Sequence, residues 1–378
     1  MYDYHPCCTN FISYQSDVKE LCFIVNVDVF FHSHRRLLEH KLASFYKTSV
    51  IAGKTGLVVD YVIKTFEVNS RVPTVRGVFQ FYREVVKLNR QAILIIVSPV
   101  MIIICHFLLR KRPKVIYNLS GLGFLRSKSL VTRNIILKLI RVYPVHGYRV
   151  FVVQNKDDYS YLNDLFGLKK NFYIEMIPGS GYEDENEVIL EPKFGNVTIG
   201  YVGRIRKDKG VLDLARAVSE LLKNGYKLDL KIWGELDHES RHGFSDSELD
   251  ELRRYNSFFC GFSNNKKEIF NSFNWFCLPS NGEGLSKAAI EASSFKIPLI
   301  LSNVQGNRDM IDGNGFLFEY SNLESLKNVI IDIIKLPNHE IEVMSMRSRS
   351  LFEANWTMEA VFRKWKEILI NYDTLSTK

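Results

Sequence analysis

Twice in its C-terminal half the chain passes from a short apolar stretch through a glycine-bearing turn into a helix. Val197–Val202 runs into Gly203-Arg204-Ile205-Arg206-Lys207-Asp208-Lys209-Gly210. Val211, Leu212, Leu214, Ala215, Val218, Leu221 and Leu222 then recur at helical spacing until Gly225. Further on, Trp275–Pro279 reads as a buried strand ending at a Pro-Ser turn. Leu285–Ser294 reads as its crossover helix and Ile297–Leu301 as the next strand. Strands alternating with helices in this order build a parallel α/β sheet. Ligands of open α/β sheets bind outside the carboxyl ends of the strands. Both turns fall at such ends.

The second turn carries two acids, Glu283 between Gly282 and Gly284, and Glu291 inside the following helix. Either acid alone reads as a solvated surface group. Their setting favours a ligand: flanking glycines let it approach the backbone, and the helix start at Leu285 and Ser286 offers unpaired N–H groups to an anion. Eight residues of helix rise about 12 Å, so the two carboxylates do not share one proton or one metal. They can grip two parts of one extended ligand. The first turn is basic. Arg204 and Lys209 flank it, a guanidinium fork and a point charge beside a helix N-terminus, which suits a diphosphate. Alone, that turn would read as a solvated basic loop.

Together, Gly203-Arg204…Lys209-Gly210 and Glu283-Gly284-Leu285-Ser286…Glu291-Ala292 resemble the donor-site motifs of the retaining GT-B glycosyltransferases called family 4. Other pieces resemble the subgroup that builds bacterial O-antigen and capsule repeats. They are Phe30-Phe31-His32-Ser33-His34-Arg35, Gly121-Leu122-Gly123, Gln154-Asn155-Lys156-Asp157-Asp158, Pro178-Gly179-Ser180-Gly181 and Gly306-Asn307-Arg308-Asp309…Asn314-Gly315-Phe316. The likeness runs from about residue 21 to the C-terminus and is closer in the second half. It implies an α/β GT-B fold: two Rossmann-like domains facing a cleft, with a C-terminal helix packing back on the first.

The resemblance also implies a nucleotide-sugar donor, UDP-linked hexose or N-acetylhexosamine, and a polyprenyl-diphosphate-linked glycan acceptor. Glu283 then faces the donor sugar, and Glu291 accepts hydrogen bonds from the ribose. Gly203, Gly282, Gly284, Leu285 and Ser286 line the donor, and the base lies near Phe258–Gly261. His34, Gly121 and Gly123 belong to the acceptor or sugar side. Departure of a diphosphate is helped by fixed cations and N–H dipoles, so Arg204 and Lys209 can serve without a metal, and no cofactor is expected. The group that takes the acceptor proton stays unassigned. Asn118-Leu119-Ser120 stands where many relatives carry a histidine, and His106 falls inside an apolar run.

The 378 residues allow two domains. The expected division is a polar extension at 1–18, an acceptor domain at 19–185, a donor domain at 186–342 and a helical segment at 343–378. Glu183–Glu187 forms an acidic connector at the boundary. The six cysteines make no C-x2-C pair, which suits a reducing cytosol. Met1–Asn10 lacks the pattern of a secretory signal.

Residues 1–175 hold 25 Lys+Arg against 12 Asp+Glu, a balance of +13, while the remainder holds 25 against 30. Ser127–Arg141 alternates Lys128, Arg133, Lys138 and Arg141 with apolar residues. It reads as a helix with one face in the core and basic neighbours toward an anionic membrane surface. Ala92–Leu109 has the length of a short membrane span, but Ser98-Pro99 interrupts it. A buried strand, a turn and a buried helix fit better. A cytoplasmic enzyme, peripheral on the inner face of the membrane and without a nucleic-acid partner, is the resulting expectation. The alternatives are a GT-B nucleotide-sugar epimerase or hydrolase, and a non-enzymatic basic protein that binds membrane or nucleic acid.

Overall fold

The computed structural model describes residues 19–25, 35–54, 63–69, 72–97, 99–122, 138, 140–167, 169–183, 195–237 and 243–374. The first half contains β1 (Glu20–Val25), α1 (Arg36–Leu42), β2 (Lys47–Lys54), β3 (Ile63–Asn69), β4 (Val72–Pro73), α2 (Val75–Val86), β5 (Ile93–Val97), α3 (Pro99–Leu108), β6 (Lys114–Asn118), β7 (Tyr148–Val153), α4 (Lys156–Phe166) and β8 (Phe172–Met176). These strands form one eight-stranded sheet, ordered β4-β3-β2-β1-β5-β6-β7-β8. It is parallel except where β4 folds back on β3. Leu21–Val25 and Ile93–Val97 are apolar throughout and buried at every position. That is the mark of parallel strands covered on both faces.

The second half contains β9 (Val197–Val202), α5 (Val211–Lys223), β10 (Leu228–Trp233), α6 (Asp246–Arg254), β11 (Phe259–Gly261), α7 (Lys266–Asn271), β12 (Trp275–Leu278), α8 (Lys287–Ser294), β13 (Leu299–Ser302), β14 (Gly315–Phe318), α9 (Leu323–Lys335), α10 (Asn338–Leu351) and α11 (Met358–Thr374). Its six strands form a second, wholly parallel sheet, β11-β10-β9-β12-β13-β14. Asp246-Ser247-Glu248 opens α6, where Ser245 and Glu248 make a capping box. The two parallel sheets with their helices are Rossmann-like domains.

The run Ala92–Leu109 divides into β5 and α3, with α3 buried through Met101, Ile102 and Cys105. Among the described residues no helix is long and apolar enough to cross a membrane. Three strands went unread in the sequence: β3, whose lysine and glutamate break its apolar run, the two-residue β4, and β14, a four-residue strand opened by a glycine. Of Ser127–Arg141, only Lys138, Ile140 and Arg141 are described, with Ile140 buried and the two cations exposed. Residues 1–18 and 184–187 lie outside the described residues.

The chain end ties the halves together. Ile341 of α10, with Phe352 and Trp356 of the π turn after it, joins the core of the second domain. Two residues past Trp356, α11 begins, and its Val361, Trp365, Ile368 and Leu369 pack with Leu21, Phe23, Val25, Ile93, Ile95 and Val97 under the first sheet. The two chain crossings lie side by side: Tyr182 N–H donates to the Trp356 carbonyl (3.0 Å), and Met358 N–H to the Tyr182 carbonyl (2.9 Å). Trp365 is 1% exposed. Trp365→Ala should therefore cost about 3–5 kcal/mol. Urea unfolding followed by circular dichroism checks this; a loss under about 1 kcal/mol would show that α11 contributes little to the first domain.

Candidate active site

One edge of the candidate site is built by two turns at the carboxyl ends of neighbouring strands β9 and β12. After β9 the chain turns through a short helix at Lys207–Lys209 into Gly210, whose φ of 68° is left-handed. A side chain at Gly210 would place Cβ 2.1 Å from the Pro279 carbonyl oxygen. Glycine there lets the first turn press against the end of β12. Asn281 N–H donates to the Asp208 carbonyl (2.9 Å), fastening one turn to the other. The result is that Lys209 Nζ donates to Glu283 Oε1 at 2.6 Å, with both side chains mostly buried. Tyr201 lies beneath this pair. Its hydroxyl donates to the Arg204 carbonyl (2.8 Å), and its pKa is raised by burial and then by the nearby Glu283 and Asp208 carboxylates.

Arg204, Lys209 and Glu283 do not form one cluster. Arg204 is half-exposed, and its Nη1 donates to Asp237 Oδ2 at 3.3 Å. Arg206 instead grips Asp208 with two hydrogen bonds, at 2.8 and 2.7 Å. On the helix side, Ser286 caps α8 by accepting from Ala289 N–H. Leu285 precedes it, half-buried. Glu291 lies in α8 with only 3% exposure, and its Oε2 accepts from Lys266 Nζ at 2.9 Å. A carboxylate has about four lone-pair sites, so this pairing leaves Glu291 room for further donors. Gly203 follows β9 and Gly261 ends β11; Gly203 N–H donates to the Trp233 carbonyl, and the Gly261 carbonyl accepts from Gly234 N–H. Phe262, the next residue, is 61% exposed. It stands directly after the Phe258–Gly261 stretch in which the base is expected.

Across the cleft, the first domain touches the loop that carries Glu283 with backbone. A Cβ on Gly284 would lie 2.1 Å from the Ser120 carbonyl oxygen and 2.7 Å from Gln154 Oε1. Gly121, at φ 112°, faces Gly284 from the other side. Asn155 Nδ2 donates to the Gly284 carbonyl at 3.0 Å. The Asp158 carboxylate, wholly buried in the first turn of α4, accepts from Leu122 N–H, Asn155 Nδ2 and Gln305 Nε2. Lys156 N–H donates to Asp309 Oδ2 (2.6 Å). Thus the Gln154–Asp158 and Gly306–Asp309 stretches are the two halves of one interdomain latch, with Gln305 added.

Arg35 is a second buried feature of the cleft. At 2% exposure, its Nη1 donates to Ser180 Oγ (2.9 Å). Nε and Nη2 lie 3.1 Å from the Asn118 amide oxygen once that amide is turned to face them. Burial lowers its pKa to about 10, which still leaves a cation. The sequence placed Arg35 in a motif without a role. His106 is excluded from the cleft: it is fully buried, bonded through Nδ1 to Tyr117 Oη (3.0 Å). Burial, and then the Arg149 charge, lower its pKa to about 4. His34 and Gly123 lie outside the described residues. Among the described residues, no three His, Cys, Asp or Glu side chains converge as metal ligands.

The two sheets, with their carboxyl edges turned to one cleft, make a GT-B fold. The structure aligns with sucrose-phosphate synthase from Thermosynechococcus elongatus at a TM-score of 0.72, covering 95% of this chain and 100% of that one. At 16% identity this likeness shows the fold alone. Residues 183–349 match the family model of Glycosyl transferases group 1. The chain is 30% identical over 183 residues to the capsular polysaccharide biosynthesis glycosyltransferase CapM of Staphylococcus aureus, which covers 47% of this chain and 46% of CapM. It is 22% identical over 274 residues to the UDP-Gal:alpha-D-GlcNAc-diphosphoundecaprenol alpha-1,3-galactosyltransferase of Escherichia coli, covering 68% and 69%. The chain spans about half or less of the length of the curated relatives it matches at 30% identity or more. These matches support a glycosyltransferase.

The backbone contact at Gly284 has a direct test. Gly284→Ala puts a methyl into the Ser120 carbonyl, so the cleft must open. Hydrogen–deuterium exchange should rise in both 118–122 and 282–286 while the melting temperature stays nearly unchanged. Unchanged exchange in the first segment would show that the latch does not depend on this contact.

Proposed function

We propose that the protein is a retaining glycosyltransferase that moves a hexose or N-acetylhexosamine from a UDP-sugar to a polyprenyl-diphosphate-linked glycan. It acts in the assembly of a bacterial surface polysaccharide, at the cytoplasmic face of the membrane. The observation that carries this reading is the Lys209–Glu283 pair at the carboxyl ends of two adjacent strands. The matches to capsule and O-antigen enzymes support it.

In this reading the diphosphate sits at the turn after β9. Lys209 and Arg204 hold its charge there, together with the N–H groups at the start of α8. Glu283 binds the donor sugar, Glu291 the ribose, and Phe262 stacks on the base. The anomeric carbon–oxygen bond breaks, and the diphosphate leaves with its electron pair. The acceptor hydroxyl oxygen then bonds to the same face of that carbon, and its proton passes to a leaving-phosphate oxygen. No enzymic nucleophile and no metal enters this step. Lys209 serves two ends of the donor, because it touches the sugar-binding acid while lying on the diphosphate turn.

Glu283→Gln, Lys209→Ala and Arg204→Ala should each lower sugar transfer by about 10²-fold or more, the usual size of losing a charge-stabilising group, while leaving the protein folded by circular dichroism. Transfer should persist in excess EDTA. Product analysis by mass spectrometry, with and without a short-chain lipid-linked acceptor, separates transfer from hydrolysis or epimerisation. A fully active Lys209→Ala enzyme, or a strict Mg²⁺ requirement, would overturn the scheme.

A further inference from the structure

Helix α2 (Val75–Val86) buries Gly77, Phe81 and Val85 against the first sheet. It leaves a second apolar stripe outside. Val75, Phe79, Tyr82 and Val86 are 78, 72, 45 and 57% exposed. Their spacing of four, three and four residues places all four on one helix face. At 100° per residue, Arg76, Arg83 and Lys87 form a row beside that stripe, on the side away from the buried face. All three are exposed, as is Arg90 just beyond the helix. Glu84 is the one acid of the helix. It lies beyond the cationic row, only 13% exposed, with Lys87 Nζ at 2.7 Å and Arg83 Nε at 3.6 Å. The exposed apolar face therefore carries no acid.

We propose that α2 docks the protein on an anionic lipid surface, its stripe entering the headgroup layer and its cationic row meeting lipid phosphate. An aromatic-bearing apolar stripe bordered by Lys and Arg suits the interface plane of a bilayer, where no spanning helix is needed. The charge layout favours this occupant over antiparallel pairing with a second copy of the chain. Antiparallel pairing of two such stripes about a two-fold axis would set the two cationic rows side by side. The place in the fold agrees with the use. The Val75 end of α2 follows the β3–β4 hairpin, at the carboxyl edge of the sheet that carries Asn118–Gly121. β3 stands four strands from β6, about 19 Å at ordinary strand spacing. The proposal rests on the lipid-linked acceptor reading for its purpose, whereas lipid binding itself is measured without any sugar transfer.

The test is sedimentation of the full chain with sucrose-loaded vesicles of phosphatidylcholine and phosphatidylglycerol at about three to one, against phosphatidylcholine alone. The protein should bind the anionic vesicles about tenfold or more tightly than the neutral ones. Phe79→Ser with Val86→Ser should lose about tenfold or more of that binding. Arg76→Ser with Arg83→Ser should lose the preference for anionic lipid. Both variants change exposed positions and should keep the wild-type melting temperature. Absence of vesicle binding in the wild type, or wild-type binding by the Phe79/Val86 variant, overturns the proposal. So does a wild-type dimer in analytical ultracentrifugation that this variant converts to monomer. Transfer to a water-soluble acceptor should be unchanged in that variant. Loss of transfer from the wild type would sink the reaction while leaving the vesicle result to stand.

Discussion

The buried carboxylate of Asp158 is the contact on which the cleft depends. A carboxyl group removed from water must be hydrogen-bonded on nearly every side. Asp158 meets that demand by drawing in partners from three directions: Leu122 N–H from the loop after β6, Asn155 from its own helix cap, and Gln305 from the second domain. Its place in the first turn of α4 adds the favourable end of the helix dipole. Asn155 then passes the constraint to the Gly284 carbonyl. One desolvated acid in the first domain thereby sets the position of the loop that carries Glu283.

The Lys209–Glu283 side follows a different logic. Lys209 and Glu283 make a short charge-assisted hydrogen bond, and each is delivered by a separate turn that glycine allows to pack closely. Neither turn is a rigid element by itself. Their precision comes from mutual support: Asn281 on Asp208, Gly210 under Pro279, and Glu283 N–H on the Gln305 carbonyl. Gln305 appears in both networks, its side chain on Asp158 and its carbonyl on Glu283. The proposed sugar-binding acid and the interdomain latch are therefore one mechanical unit.

Much of this was legible in the sequence because it follows from local pattern. The apolar runs at β9, β12 and β13, the helical spacing after Gly210, and the break at Ser98-Pro99 all carry their meaning within a few residues. The latch does not. Asn155 and Gly284 are 129 residues apart, and Asp158 and Gln305 are 147 apart, and no periodicity records such a meeting. Resemblance supplied the Gln154–Asp158 and Gly306–Asp309 stretches but not their contact, and it left Gln305 out. Arg35 was invisible for a related reason: a cation beside other basic residues reads as surface, whereas here Ser180 and Asn118 hold it buried. β3, β4 and β14 lacked the uninterrupted apolar run that marked the central strands.

The linker adds a last constraint. Residues 178–182 leave the first domain beneath α8, where a Cβ on Gly179 would lie 2.9 Å from Ile290 Cδ1 and 3.3 Å from Leu285 Cδ2. Ser180 in the same segment holds Arg35, and Tyr182 is hydrogen-bonded to the returning chain on both sides of Thr357. This segment is therefore fixed to α8, to the Arg35 guanidinium and to the start of α11 within five positions of the chain. The residues proposed to hold the donor are thereby joined, through this segment and α11, to the core under the first sheet, where Trp365 is buried.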